Sequence, residues 1–258
     1  MFGSVLLFFA NKSTVLIFDL FTYFLSIILL LNLTNLNSNE KKSFHFIKIY
    51  RETVSYLKDI STENNNLFIT LVGSSFVILF TGAILRFLIP AFVLSQGGEE
   101  SFVSSIFSLI AVGTLVGDVL YSKIIFNITS LKLMVFWLLY GIIMFVMPLA
   151  ATLSLKLLLV LAFVLGFIGA FVDISLVSSL QLYSRCEDFE KSFGTFSTLA
   201  NSTEAVSGFI AGLFALVGLV SSFLAMSALI IYTGMIGVIK MKKKKERTPL
   251  NTTGDDDH

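Results

Sequence analysis

Long apolar runs, each of a length that could cross a bilayer, alternate along the chain with short polar joints. A hydrocarbon core about 30 Å thick takes about 20 helical residues. Runs of that kind cover residues 14–33, 67–94, 102–124, 131–151, 155–180, 196–217 and 219–239. Seven transmembrane helices are therefore predicted, the last two parted only by Gly218. Residues 1–10 are apolar too but too short to cross. No basic stretch precedes them and no small-residue cleavage site follows, so they read as the stump of an eighth helix rather than a signal peptide.

One polar stretch between spans is long. Within residues 32–66, Phe46, Tyr50, Val54 and Leu57 recur at spacings of four, four and three, flanked by Ile47 and Ile60. Lys48, Arg51, Glu52, Lys58 and Asp59 occupy the other side, and Asn64, Asn65 and Asn66 end the pattern. That is an amphipathic helix suited to lie along a membrane interface. The expected fold is an all-α membrane protein, a polytopic bundle of seven transmembrane helices plus an N-terminal partial helix.

Composition agrees. Mean hydropathy is +0.88 and 55% of residues are hydrophobic. Only 14% are charged, against about 25% in soluble domains, so a water-exposed surface could not be covered. The 27 Phe and 3 Pro suit long lipid-facing helices. A net charge of +1 offers nothing to nucleic acid. With one cysteine, Cys186, and histidines only at His45 and His258, no disulfide framework, metal cluster or Ser–His pair falls within the spans. The Gly-x-Gly-Asp signature of intramembrane aspartyl proteases fails as well, because Leu115 stands where the first glycine belongs before Gly117 and Asp118. No enzyme chemistry, metal or cofactor is expected.

The placement of charge predicts orientation. If the spans alternate, fifteen Lys and Arg fall on one side, including Lys240, Lys242, Lys243, Lys244, Lys245 and Arg247, and only Lys12 and Lys156 on the other. The positive-inside rule then makes the C-terminus and the 34–66 stretch cytoplasmic. The basic run after the last span reads first as a topology signal, with anionic lipid as its natural neighbour.

Ionisable groups at membrane depth are costly unless they face protein or water, so each is a functional candidate. Five stand out: Asp19, Arg86, Asp118, Asp173 and Glu204. Arg86 lies roughly 12 Å from the outer end of its span. Glu204 falls near the midplane behind the polar group Asn201, Ser202 and Thr203, where a carboxylate can carry a proton. A cation at the depth of Arg86 would be neutralised most cheaply by Glu204 or Asp19. Asp19 and Asp118 sit near span ends, which suits anchoring or gating. Gly113 with Gly117, and Gly208 with Gly212, form small-xxx-small faces for close helix packing. Pro90, one turn beyond Arg86, predicts a kink.

The run Phe18-Asp19-Leu20-Phe21-Thr22-Tyr23-Phe24-Leu25-Ser26 resembles the sixth helix of bacterial major facilitator superfamily exporters, closest to the enterobactin and macrolide efflux branch. Residues 49–58 look like the interfacial helix before that branch's seventh span. Residues 166–181 resemble its tenth helix, and Asn201, Gly208 and Gly212 match positions in its eleventh. The chain departs from the family where a Gly-Asp/Arg-Gly-Arg loop would fall: Gly117 and Asp118 are followed by Ser122 and Lys123 without the other basic residues. After the tenth helix only Glu190 and Lys191 remain of a basic loop. Asp173 replaces a common Asn, and Glu204 a small residue.

The resemblance implies helices six to twelve of a two-lobed carrier. Residues 1–33 would hold the end of helix five and helix six, 34–66 a cytoplasmic linker, 67–239 a six-helix C-terminal bundle, and 240–258 a cytoplasmic tail. It implies proton-coupled efflux of a small amphipathic molecule, drug- or siderophore-like, by alternating access across a bacterial inner or plasma membrane. Glu204, Asp173, Arg86, Asp19 and Asn201 would serve transport and proton coupling. Asp118, Lys123 and Lys191 would serve gating. The chain would then be a truncated carrier, its N-terminal half missing or separately encoded. The alternative is a seven-helix membrane protein that does not transport, a receptor or an assembly scaffold. Labelling of single cysteines from the two faces of intact cells should place residue 258 inside; labelling from outside would overturn the orientation.

Overall fold

The structure, a computed structural model, describes residues 17, 20–29, 46–123 and 130–247. The chain divides into two compact units, Met1–Glu52 and Thr53–His258. In the first, helix α1 (Leu20–Leu29) presents an exposed apolar surface that includes Leu20, Phe21 and Phe24. It is the described part of the predicted span 14–33; residues 1–10, Asp19 and the segment 248–258 lie outside the described residues.

The predicted amphipathic helix is α2 (Phe46–Glu63), and the boundary between the units falls inside it. Its second half turns Tyr56 and Ile60 into a small core with Leu67, Leu71 and Leu180 and leaves Val54 exposed. Asn64 separates α2 from α3 (Asn65–Ala83). Its side-chain oxygen accepts the Leu67 N–H at 3.3 Å, capping α3, while its Nδ2 donates to the Tyr183 carbonyl at 2.8 Å. One side chain thus satisfies the start of one helix and the end of another, where backbone groups have no partner of their own.

A π turn (Ile84–Leu88) joins α3 to α4 (Ile89–Ser95). Pro90 has no N–H, and its ring would press on the carbonyl four residues back, that of Arg86. The widened turn accommodates this: the Ile89 N–H reaches back five residues to the Ile84 carbonyl. The irregularity predicted at Pro90 takes this form, one of the ordinary causes of a helix defect. Gly97, at φ 77°, then stops α4. Gly97 N donates to the Leu94 carbonyl at 3.1 Å and Gly98 N to the Val93 carbonyl at 3.0 Å, the pairing of a Schellman motif.

The remaining helices are α5 (Glu100–Lys123), α6 (Ser130–Leu153), α7 (Leu155–Tyr183), α8 (Phe189–Ala215) and α9 (Leu219–Arg247). A short 3₁₀ turn, Cys186–Asp188, precedes α8, and Gly218 at φ 114° turns the chain between α8 and α9. Five described stretches are long and apolar enough to cross a membrane: Asn65–Ser95, Glu100–Tyr121, Leu131–Leu153, Leu155–Tyr183 and Leu219–Met241. The chain is thus an all-helical, multi-pass membrane protein.

Five of the predicted spans, 67–94, 102–124, 131–151, 155–180 and 219–239, are among these stretches, and 14–33 lies in part outside the described residues. The predicted span 196–217 belongs to α8, whose 27 residues extend over about 40 Å. The helix starts at Phe189 rather than Phe196, and its Ser, Thr, Asn and Glu side chains keep it out of the apolar set. A helix of that composition needs a protein or water-lined surface to face.

The bundle is built from three helix pairs. α5 packs most extensively on α7, α9 on α6, and α3 on α8, while α6–α7 and α3–α9 contacts join the pairs. Lipid supplies no hydrophobic drive for one helix to leave it for another, so association depends on close packing. Glycine supplies it at the first two interfaces. A Cβ on Gly113 would run into the Phe163 carbonyl, one on Gly166 into the Ile110 carbonyl, and one on Gly117 would come within 2.7 Å of both Ala170 Cβ and the Phe167 carbonyl. On α9, a Cβ at Gly234 would lie 2.9 Å from the Leu138 backbone nitrogen, and one at Gly237 would strike Met134.

The second small-residue face divides. A Cβ at Gly208 would meet the Phe87 ring at 2.8 Å, whereas Gly212 is exposed with no described atom near it, so it makes no packing contact here. Trp137, Met134, Met144, Phe92 and Phe223 fill the centre of the core. Because backbone carbonyls cannot move aside as side chains can, Gly113→Leu or Gly166→Val should cost at least about 3 kcal/mol. In detergent that is a fall in Tm of about 10 °C. Gly212→Ala should leave Tm unchanged, and an equal fall in all three would refute the contact.

Candidate functional site

Four helices, α3, α6, α7 and α8, surround a site where the π turn interrupts the α3–α4 span. The turn carries Arg86 on its outer side, α8 supplies Glu204, and the Arg86 guanidinium donates through Nη2 to Glu204 Oε1. Among the described residues this is an ion pair between groups 118 positions apart in sequence. The extra residue in a π turn changes which side chains point inward. Here it delivers a cation to the carboxylate of α8.

The pair lies on the wall of a cavity of about 280 Å³ bounded by α3, α6, α7 and α8. Asp173 of α7 lines it, with Thr81, Trp137, Tyr140 and Phe196. Gly169, one turn before Asp173, lies beside the Tyr140 ring, and a Cβ there would make an ordinary contact with Tyr140 Cε2 at 3.4 Å. Thr81 Oγ1 is buried with no hydrogen-bond partner among the described residues. The walls are otherwise apolar, with Val77, Leu85, Val172 and Leu176. An apolar cavity with a few convergent polar groups is the usual form of a small-molecule site.

Charge in this cavity does not cancel. Arg86 neutralises one carboxylate, Glu204, and Asp173 is left over, with no ion-pair partner among the described residues. When all of these groups are ionised, the lining carries one negative charge in excess. Such a site favours a positively charged ligand.

Of the residues singled out from sequence, Arg86, Glu204 and Asp173 share this cavity and the other described ones do not. Asn201 is exposed on α8 and bonds only to Ser197, at 3.4 Å. The neighbouring hydroxyls turn back on their own helix, Ser202 to the Thr198 carbonyl at 2.6 Å and Thr203 to that of Leu199 at 3.0 Å. Asp118 and Lys123 are exposed within α5, and Lys191 lies in the first turn of α8 rather than in a loop. Lys191 places its Nζ 4.7 Å from the centre of the Tyr56 ring, whose hydroxyl meets Ser192 Oγ at 2.6 Å. Asp19 falls outside the described residues. Among the described residues no three His, Cys, Asp or Glu side chains come together as a metal site.

Tyr140, Trp137 and Thr81 were not singled out from sequence. An aromatic or a hydroxyl in an apolar run carries no periodic signal; the one available hint was the row of polar interruptions at Ser74, Ser75 and Thr81 in an otherwise apolar span.

No protein-family model matches the chain, and neither a curated protein nor a solved structure does. The class defined by fold and site is a helical, multi-pass membrane protein with a charged cavity among its helices.

Removing either partner of the Arg86–Glu204 pair leaves a lone charge at membrane depth. Arg86→Leu and Glu204→Leu should each lose about 1–2 kcal/mol of stability in the membrane or detergent state. The double variant should recover more than half of that loss. Additive losses in thermal melts would show that the two side chains do not depend on each other.

Proposed function

We propose that the chain is a secondary active transporter of the major facilitator type. It moves a small amphipathic molecule by alternating access and couples that movement to protons through Glu204 or Asp173. The observation that carries the reading is the cavity itself, which a compensated pair and an uncompensated carboxylate line together inside an apolar bundle. Charged groups are placed at that depth when they face an aqueous path or a ligand.

The chemistry of such a cycle needs a carboxylate that alternates between two states. Arg86 stays bound to Glu204 as long as the pair is closed. Protonation of Glu204 releases Arg86, and the freed guanidinium can then turn to Asp173 on the facing helix. Either carboxylate can therefore accept the proton, with Arg86 as the charge that passes between them. The apolar walls with Trp137, Tyr140 and Phe196 suit the hydrophobic part of a substrate, and the surplus negative charge suits a cationic one.

In this reading the bundle is one lobe of a two-lobed carrier, and its cavity is completed by a second half in the same or another polypeptide. It sits in a bacterial inner membrane with the basic run after α9 on the cytoplasmic side.

Ethidium uptake driven by a pH gradient into inside-out membrane vesicles, with both halves present, tests the proposal. Glu204→Gln or Asp173→Asn should abolish the pH-driven component, and at least one must. Unchanged pH-driven uptake in both variants would reject proton coupling at this cavity.

A further inference from the structure

On the opposite side of Trp137 from the charged cavity, α3 and α9 leave a second, apolar groove of about 330 Å³. Phe76 and Tyr232 flank it with half or more of their surface exposed, at 50% and 61%, and Lys240 stands at one end. A Cβ on Gly73 would sit 2.7 Å from the Trp137 ring, so the glycine lets the indole form the groove's floor. We propose that this groove is a specific site for one anionic phospholipid, an acyl chain lying along α3 and α9 and its head group held at Lys240.

Length and charge both select that occupant. From Leu229 to Lys240 the groove follows α9 for about 16 Å, close to half of a hydrocarbon core about 30 Å thick. One leaflet's acyl chain therefore fits, with its head group at the level of Lys240. Beyond that lysine the helix continues to Arg247, and the sequence there holds Lys242, Lys243, Lys244, Lys245 and Arg247. Basic residues where a helix leaves the membrane attract anionic head groups. A second copy of the chain suits the groove less well. A two-fold contact across α3 and α9 would set the same basic run against itself. The inference needs only a membrane-embedded bundle and is independent of any transport activity.

Trp137 is the chain's one tryptophan, so its emission reports on the groove floor directly. The purified full chain in neutral detergent is titrated with phosphatidylglycerol or phosphatidylcholine brominated on the acyl chain, and Trp137 quenching is followed. Phosphatidylglycerol should quench at about fivefold lower mole fraction, the effect of one lysine at an anionic surface. Lys240→Gln should remove that preference while leaving the helical circular dichroism unchanged. Thr233→Phe, which fills the groove without reaching the charged cavity, should suppress quenching by both lipids. Equal quenching by the two lipids, a preference that survives Lys240→Gln, or quenching that survives Thr233→Phe in a folded variant would each overturn the site. So would a dimer, by light scattering, that dissociates when Phe76 is changed to Ala and shows no quenching by either lipid.

Discussion

The structure depends on one constraint: inside a bilayer, a charged group needs a partner in the protein or a cavity to face. The Arg86–Glu204 pair is where that constraint acts most strongly. Neither side chain could remain at its depth facing lipid, so each fixes the position of the other's helix. The pair holds the irregular α3–α4 span against α8, the least apolar long helix, and so creates a polar face that lipid alone would not tolerate. A related need, for hydrogen-bond partners, explains the hydroxyls along α8, which bond to carbonyls one turn back, and Asn64, which serves two helix ends at once.

With the hydrophobic effect largely absent between helices in lipid, cohesion comes from contact distance. α5 and α7 approach until glycines meet carbonyls, and α6 and α9 do so through Gly234 and Gly237. α3 and α8 meet differently, through an ion pair, Gly208 beneath Phe87, and Gly82 beside Ser207. The tight pairs form rigid walls. The α3–α8 pair, with its π turn and its charges, is the seam where the bundle holds a cavity.

Trp137 links the two spaces of the bundle. Its indole is almost fully buried, yet it borders both the charged cavity and the apolar groove. A single ring of this size separates a site with excess negative charge from a groove that ends in positive charge. A lipid pressed on one face and a ligand on the other would therefore act on the same side chain.

Much of the fold was legible in sequence because the bilayer imposes a length and a polarity on every span. The predicted runs 67–94, 102–124, 131–151 and 155–180 match helices to within a few residues, and the amphipathic spacing from Phe46 to Ile60 marks α2. The prediction weakened at α8. There apolarity alone does not define a span, because its surroundings include other helices and a cavity as well as lipid. Sequence also marked Arg86, Glu204 and Asp173 as charges without an excuse, since their cost at depth is a property of the residue. It left Arg86 with two possible partners, counted Gly212 as a packing residue, and passed over Tyr140 and Thr81. Partner choice depends on which helices lie side by side and on the rotation of each, and the π turn sets that rotation for Arg86. Local chemistry along the chain thus determined that charge would lie at membrane depth; only the packing of helices far apart in sequence decided what would face it.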